Sequence, residues 1–381
     1  MYVVGHPSVG IAALTVKPLL RECDGRAFGE TPSMTSSANS KTGSRHERTV
    51  TLKTIAEHLG VTAATVSATL NNSAAARCIS APTKQRVIAA ARELDYKPNF
   101  FAQTLRGRRT HIVGVITERI EDFYGSSIIS GIEEYLQQKN YFPLIVVHRR
   151  DPQLLQTYFQ LLEARGVEGF IAIDTSIEQQ PPLSTVSVGG RLRIGGVTNV
   201  TLDHKCAVRL ALRHLKDLGH KEIAFMQVHP HSPNSAARWS ATCQAAAGLG
   251  IEIRPALIGQ VESADSTLAG GYLVAKQLLE RKLPFTALFA YNDISAIGSI
   301  RAFREAGLRV PQDISVVGFD DIPGASFTNP GLSTVRQPLV KMGWMAAQTL
   351  VARIERRGKR VRDITIEPEF VVRQSTGPVS S

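Results

Sequence analysis

"TLKTIAEHLGVTAATVSATLNN", Thr51 to Asn72, holds two short helical patterns joined by Gly-Val-Thr. The first spans about Leu52 to Leu59 and stops at Gly60, a residue free to take the left-handed backbone that ends many helices. The second starts after Thr62, whose hydroxyl suits an N-cap, and runs to about Leu70. Ala56 is small where two helices cross, and Val61 and Val66 anchor the second helix to the first. This is the spacing of a helix-turn-helix that docks on DNA. It leaves Thr62, Ala63, Thr65, Ser67 and Ala68 on the open face, which is poor in long polar side chains.

Outward from this pair, Ser80 suits the cap of a third helix, from about Thr83 to Leu94, with Pro82 near its first turn, where proline is tolerated. Val87, Ala90, Ala91 and Leu94 space its buried face at the helical period, and Pro98 ends it. The surrounding charge agrees with an anionic partner. The chain carries 44 Lys/Arg against 33 Asp/Glu, a net charge of +11. Eleven of those bases and four of the acids lie between Arg45 and Arg109, so most of the excess sits in a small part of the chain. With no broad apolar helix face beside it, a compact basic head fits nucleic acid better than a membrane. Residues 1–47 show no sustained periodicity, and their Ser/Thr-rich "TPSMTSSANSKTGSR" reads as a disordered extension. Met34 inside it is an alternative translation start to Met1.

After Arg109 the texture changes to short apolar runs alternating with helical patterns. "HIVGVIT" precedes a helix at 125–139, "FPLIVV" one at 153–164, and "GFIAID" and "STVSVG" precede one at 205–218. "EIAFMQ" precedes helices at 235–248 and 267–280, "TALFAYN" one at 294–306, and "ISVVGFD" one at 340–356 before "IEPEFVVR". Such alternation means parallel sheets covered by helices. More than ten strands are too many for one open sheet, so two α/β lobes are expected, with a ligand cleft at the carboxyl ends of their strands.

Several chemistries find no support. Cys23, Cys78, Cys206 and Cys243 are far apart with no C-x-x-C pair, which fits neither a zinc site nor a disulfide framework. His229 and His231 lack a third ligand at useful spacing, so no metal is expected. "GGRLRIGG" (189–196) matches neither dinucleotide nor Walker pattern, and no cofactor is expected. No apolar run is long enough to span a membrane, and the N-terminal stretch lacks a basic start and is broken by Pro7, Gly10 and Pro18, unlike a signal peptide. A cytoplasmic, nucleoid-associated protein is expected.

The motifs "TIAEHLGVTAATVSATLNN", "ISAPTKQRVIAAARELDYKPN", "FFAQTLRGRRTHIVGVI", "ALFAYNDISAIGSIRAFREAGLRVPQDISVVGFDDIP" and "LSTVRQPLVKMG" fall in the order found in the lac-repressor (LacI/GalR) family of bacterial transcription regulators. The chain resembles that family from about residue 50 to 378. The resemblance implies an all-α helix-turn-helix head (48–97), a hinge helix and linker (98–109) and a periplasmic-binding-protein-like core of two doubly wound parallel-sheet lobes (110–381). It places the first lobe at about 110–202 and 337–362, and the second at about 203–336 and 363–376. It implies a homodimer or tetramer, with the dimer favoured, bound to a two-fold operator, usually as a repressor, and a sugar-like small-molecule effector in the cleft.

Carried over residue by residue, Thr51, Leu52, Thr62, Ala63, Ala64, Thr65, Ser67, Ala68 and Asn71 occupy DNA-facing positions. Ala68 stands where an arginine is frequent, and Ala63-Ala64 replace longer side chains, so direct base readout is thin and the helix positions more than it reads. In the hinge, Asn99 and Ala102 match contact and close-approach positions, and Leu105 matches the leucine that wedges between base steps. Arg106, Arg108 and Arg109 would hold phosphates. In the core, Phe123 and Tyr124 match the effector's aromatic wall, Arg238 its arginine, and Asn292 and Asp320 its polar groups. Asp293 and Asp321 are read as structural. The run Glu118, Glu121, Asp122 makes the approach acidic, admits an amino sugar or another cation-bearing ligand, and is the only candidate for the paired carboxylates a sugar-processing enzyme would need. A solute-binding protein for transport would share the cleft but not the basic head.

Overall fold

The computed structural model describes residues 50–71, 73–97, 109–190, 192–228, 233–261, 267–355 and 362–379. The chain divides into two units, before and after the Pro98–Asn99 bond. Residues 1–47 and the hinge positions Asn99, Ala102, Leu105 and Arg106 lie outside the described residues.

In the first unit three helices enclose a small core. They are α1 (Leu52–Leu59), α2 (Ala63–Leu70) and α3 (Ala81–Glu93). Each begins on a hydroxyl cap. Thr51, Thr62 and Ser80 accept the backbone N–H three residues on, which satisfies one of the four free donors at each helix start. Gly60 ends α1 at φ 65°. Ile55, Ala56, Val66, Val87, Ala90 and Ala91 are buried together, with Val61 and Leu70 packed against them. Arg86 donates to the Leu59 carbonyl at 3.1 Å, tying α3 to the end of α1. A short 3-10 turn, Ala74–Cys78, links α2 to α3 and has no periodic signature in the sequence.

The second unit holds two six-stranded sheets. The first lobe contains β1 (Ile112–Thr117), β2 (Phe142–Val147), β3 (Phe170–Ile173), β4 (Thr185–Gly189), β5 (Val197–Leu202) and β11 (Ile364–Ile366). Their order is β11-β5-β4-β3-β1-β2, with every pairing parallel. The second lobe contains β6 (Ile223–Val228), β7 (Ile258–Val261), β8 (Ala287–Phe289), β9 (Ser315–Asp320), β10 (Ser333–Arg336) and β12 (Glu369–Val371). Here the order is β12-β10-β9-β8-β6-β7, parallel except for the antiparallel β10–β12 pair. In each lobe the strand order reverses beside the first strand, between β1 and β3 and between β6 and β8. Crevices form outside the carboxyl ends of strands at such points.

The chain crosses between lobes three times, after Leu202, after Arg336 and after Ile366. The last crossing corrects the expected boundary at 362. Ile364–Ile366 pairs with Val200–Leu202 of the first sheet, so the first lobe extends through Ile366. The sequence reading also passed over β5, β7, β10 and β11 as strands.

Each lobe is stiffened by a glycine-mediated helix pair. Gly131 of α4 (Phe123–Gln138) lies against the Val340 carbonyl of α10 (Leu339–Glu355), and Gly343 lies against the Ile128 carbonyl in return. In the second lobe Gly271 of α8 (Leu268–Glu280) meets Ser295 of α9 (Asp293–Glu305), and Gly298 meets the Leu268 carbonyl. Any Cβ at these four positions would overlap backbone.

Residues 109–111, which lead into β1, are held by one carboxylate. Glu168 accepts the Thr110 and His111 N–H groups at 2.6 and 2.8 Å and the Arg109 guanidinium at 2.9 Å. Arg109 was expected to hold a phosphate; here Glu168 and the Tyr141 hydroxyl engage it.

Candidate functional site

On the head, Thr62, Ala63, Ala64 and Asn71 are exposed, and Thr65, Ser67 and Ala68 are half-buried along the same helix. Their chemistry is restrained by the helix itself. The Thr62 hydroxyl accepts the Thr65 N–H at 3.1 Å and lies 2.9 Å from the Thr65 hydroxyl. The Asn71 amide donates to Ser67 Oγ at 3.2 Å. Short hydroxyls already tied within the helix offer a contact surface with few reaching donors, as the alanine-rich sequence implies. Thr51 is exposed and forms a capping box with Thr54, whereas Leu52 packs against the core of the head.

In the second unit, Phe123, Tyr124, Arg238, Asn292 and Asp320 line one cavity of about 680 Å³ between the two lobes. Its position follows from topology. Thr117 ends β1, Ile173 ends β3, Tyr291 follows β8 and Asp320 ends β9, so the walls are carboxyl ends of strands on both sides of each crevice. Phe123 and Tyr124 open α4, which Asp122 caps by accepting the Gly125 N–H at 2.6 Å. Asn292 caps α9 by accepting the Ser295 N–H at 2.9 Å, which commits its carbonyl oxygen and leaves its amide N–H groups for other partners.

The floor is a buried arginine held by aromatic faces. Arg238, on α7 (Pro233–Leu249), is only 5% exposed. Its guanidinium lies 3.9 Å from the Phe319 ring centroid and 4.8 Å from that of Tyr291, and it donates to the Tyr291 carbonyl at 2.7 Å. Its Nε is buried with no hydrogen-bond partner in the structure. Asp320 lies 3.7 Å away and accepts from the Gln337 amide at 2.6 Å. Burial pushes the Asp320 carboxyl up to about 6, while Arg238 and Gln337 pull the other way. Asp320 also holds φ at 112°, a strained region for any residue with a Cβ. A desolvated carboxylate on a strained backbone beside a buried cation is a binding feature more than a stabilising one.

Sequence reasoning passed over several wall residues. Asn234 donates to the Tyr124 hydroxyl at 3.4 Å across the cleft, and its carbonyl oxygen lies 2.8 Å from His204 Nε2. Burial, with help from Arg238, lowers His204 to about 3, so it is neutral and donates from Nε2 to Asn234. Asp174 and Tyr291 complete the polar floor. Position at a strand's carboxyl end was the signal that could have found them. The residues read as structural are tied accordingly. Asp293 is fully buried and accepts from Thr334 and the Ile322 N–H, and Asp321 bridges Arg336 and Arg373 at 2.6 and 2.7 Å.

The acidic approach is largely committed. Glu118 pairs with Arg150 at 2.6 Å, and Asp122 spends an oxygen on its helix cap. Among the described residues no group of three His, Cys, Asp or Glu could hold a metal ion, and no helix is long and apolar enough to cross a membrane.

Two family models match: bacterial regulatory proteins of the lacI family over residues 51–99, and a periplasmic binding protein-like domain over 212–376. The chain is 30% identical to the HTH-type transcriptional repressor PurR of Haemophilus influenzae over 339 residues, 85% of this chain and 98% of that one. It is similar to the lac repressor dimer bound to operator and the anti-inducer ONPF, with a TM-score of 0.77, 26% identity, and 87% and 100% of the two chains covered. The transcriptional regulator CelR in complex with cellobiose matches with a TM-score of 0.64 and 25% identity over 86% of this chain and 99% of that one.

Proposed function

This chain belongs to the lacI family of bacterial regulatory proteins, and we propose that it is a ligand-responsive transcriptional repressor that binds a two-fold operator as a homodimer. Its effector is a sugar or sugar derivative seated between the lobes. The observation that carries this reading is the cavity built jointly by both lobes around Arg238 and Asp320. Sugars present paired hydroxyls that a carboxylate and a guanidinium can bond, and flat faces that Phe123, Tyr124 and Tyr291 can stack. A ligand touching both lobes favours the arrangement in which it makes both sets of contacts. Coupling of roughly 1–3 kcal/mol between such a ligand and DNA affinity is enough to switch a promoter.

In support of the proposed dimer, the edge strand β2 of the first sheet leaves Phe142 64% and Ile145 45% exposed. Binding rather than turnover is the reading we favour, since the homologues are transcriptional regulators and, in the acidic approach, Glu118 pairs with Arg150 and Asp122 caps its helix. On DNA, the face Thr51, Thr62, Ala63, Ala64, Thr65, Ser67, Ala68 and Asn71 lies in the major groove and mainly sets register. Hinge residues Asn99, Ala102, Leu105 and Arg106 supply minor-groove contact. We place the protein in the cytoplasm, on the nucleoid.

Selection of bound duplexes from a random library, at about 0.15 M salt to suppress nonspecific phosphate binding, tests the reading. A two-fold enriched motif, with release or tightening by a sugar, is expected. No motif with or without pooled sugars overturns it.

A further inference from the structure

The segment that carries the chain into the core ends on a built anchor. Arg109, Thr110 and His111 come to rest at the amino ends of β1, β2 and β3, beside Tyr141 and residues 166–168. Glu168, whose side chain is 13% exposed, commits both oxygens to this segment. One accepts the Thr110 and His111 N–H groups, and the other accepts Arg109 Nε at 3.2 Å and Nη2 at 2.9 Å. Burial opposes ionisation of Glu168, yet Arg109 and the two amides hold its carboxyl below the ordinary value. The Tyr141 hydroxyl accepts from the same guanidinium, and the Tyr141 ring meets His111 edge-on at 5.0 Å. The Thr110 hydroxyl donates to the Gly166 carbonyl.

This anchor fixes more than the sheet needs. β1 is already paired with β2 from Ile112 onward and with β3 from Gly114. What Glu168 adds is the direction in which the chain leaves the sheet. His111 holds φ at 55°, in the left-handed region that favours glycine. Bonds on its own amide and on the preceding one keep it there.

Resting on the repressor reading above, in which a dimer sets two heads on two half-sites, we propose that Glu168 is a positioning residue that fixes the half-site spacing the dimer accepts. Each head is joined to the core through residues 98–108, so the anchored end of that tether is a fixed point on each first lobe. A change of one base pair moves a half-site by about 3.4 Å and turns it by about 34–36°. With the carboxylate in place, Arg109–His111 supply neither movement. Without it, His111 stays held through its carbonyl, which accepts the Phe142 N–H at 2.7 Å. Arg109 is freed, and Thr110 keeps a single bond between neutral groups. Two residues extend by at most about 7 Å, which covers a one-base-pair step, and their φ and ψ take up the rotation.

The test uses the full-length protein and the two-fold sequence that it selects, rebuilt with the half-sites one and two base pairs closer and farther apart. Fluorescence anisotropy gives the affinity for each duplex. The native chain loses ten-fold or more on a one-base-pair change. Glu168→Ala loses three-fold or less, measured well below its own unfolding midpoint. Unfolding lowers the active fraction equally for every duplex, so lost stability alone leaves this ratio unmoved. Glu168→Gln keeps an acceptor for the two amides but not the charge that holds Arg109. It is the milder variant, decides the test where the alanine chain does not fold, and gives a ratio between the other two. Folded variants with the native ratio overturn the inference and leave the repressor reading standing. So does a native chain that tolerates every spacing. A native chain that selects no two-fold sequence, with or without pooled sugars, overturns the repressor reading as well.

Discussion

Asp320→Asn is expected to make the protein more stable and less responsive. In the folded chain the carboxyl is pushed from 3.8 up to about 6, because it is buried and its neighbours compensate only in part. A raised carboxyl means that the folded state holds the proton more tightly than the unfolded chain does. Stability is therefore lost as pH rises through the interval from about 4 to about 6, and the loss is complete above it. Each tenfold difference in proton affinity between the folded and unfolded chain is worth roughly 1.4 kcal/mol, so the ionised side chain costs the fold about 3 kcal/mol at pH 8. Asparagine resembles the neutral acid in size and can still accept from Gln337, so it removes that cost. The advantage over the native chain is about 3 kcal/mol at pH 8, about half of that near pH 5, and gone below pH 4.

The assay is urea unfolding followed by circular dichroism, at one protein concentration so that association does not confound the midpoints. Operator binding is measured with and without effector in parallel. Asp320→Asn keeps operator affinity and loses most of the effector response, because a hydrogen-bond acceptor for ligand hydroxyls has become weaker and uncharged. An asparagine variant less stable than the native chain at pH 8, or one whose advantage does not shrink toward pH 5, refutes the account of a desolvated, costly carboxylate.

Glu168→Ala strands the Arg109 guanidinium and the Thr110 and His111 amides, and is expected to cost about 2 kcal/mol or more; a denaturation midpoint, with faster hydrogen exchange at 110–111, reports it. Gly298→Ala drives a methyl into the Leu268 carbonyl, and the resulting separation of α8 and α9 costs about 1–3 kcal/mol in thermal unfolding. Ala68→Arg gives α2 a reaching cation, so nonspecific DNA binding tightens and the slope of log affinity against log salt steepens by about one; an unchanged slope means that Ala68 does not face the phosphates.

The head was legible because its signals are local. Thr51, Thr62, Ser80 and Gly60 cap helices through side chains or backbone a few residues away, and Val87, Ala90 and Ala91 repeat at the helical period within α3. The missed strands have the opposite character. In "VTNVTL" the buried Asn199 bonds the Leu192 backbone and Asp363, and Thr198 receives Arg353. In "STVR" the buried Ser333 and Thr334 are satisfied by Ser375, Thr376 and Asp293. Polar residues that close their hydrogen bonds far along the chain look like loop in any local window. "IGQV" failed for a simpler reason, as four residues carry too little pattern. The same distinction divides the cleft. Asp320 stood in a long motif and Arg238 at a single matched position, whereas the places of Asn234 and Asp174 in the cavity wall depend on which strand ends the topology brings together.

That topology also determines where the cleft can act on the rest of the chain. Glycine-packed helix pairs make each lobe a stiff body, so relative motion falls on the three crossings. The crossings are tied to one another and to the binding floor. The Asp203 N–H bonds the Ile366 carbonyl at 2.9 Å, linking the first crossing to the third. Arg336, at the second, reaches both Asp321 and Glu369 at 2.6 Å. Gln337 lies within that second crossing, and its amide donates to the carboxylate that also faces Arg238. A ligand hydroxyl that donates to Asp320, as proposed above, would join an acceptor already shared with that crossing. Its bond strengthens or weakens the grip on Gln337, according to which lone pairs it takes. Under the proposed function, the strained, desolvated aspartate is costly for the fold and useful for the switch for a single reason: it is the group that the proposed effector and the crossing segment would share.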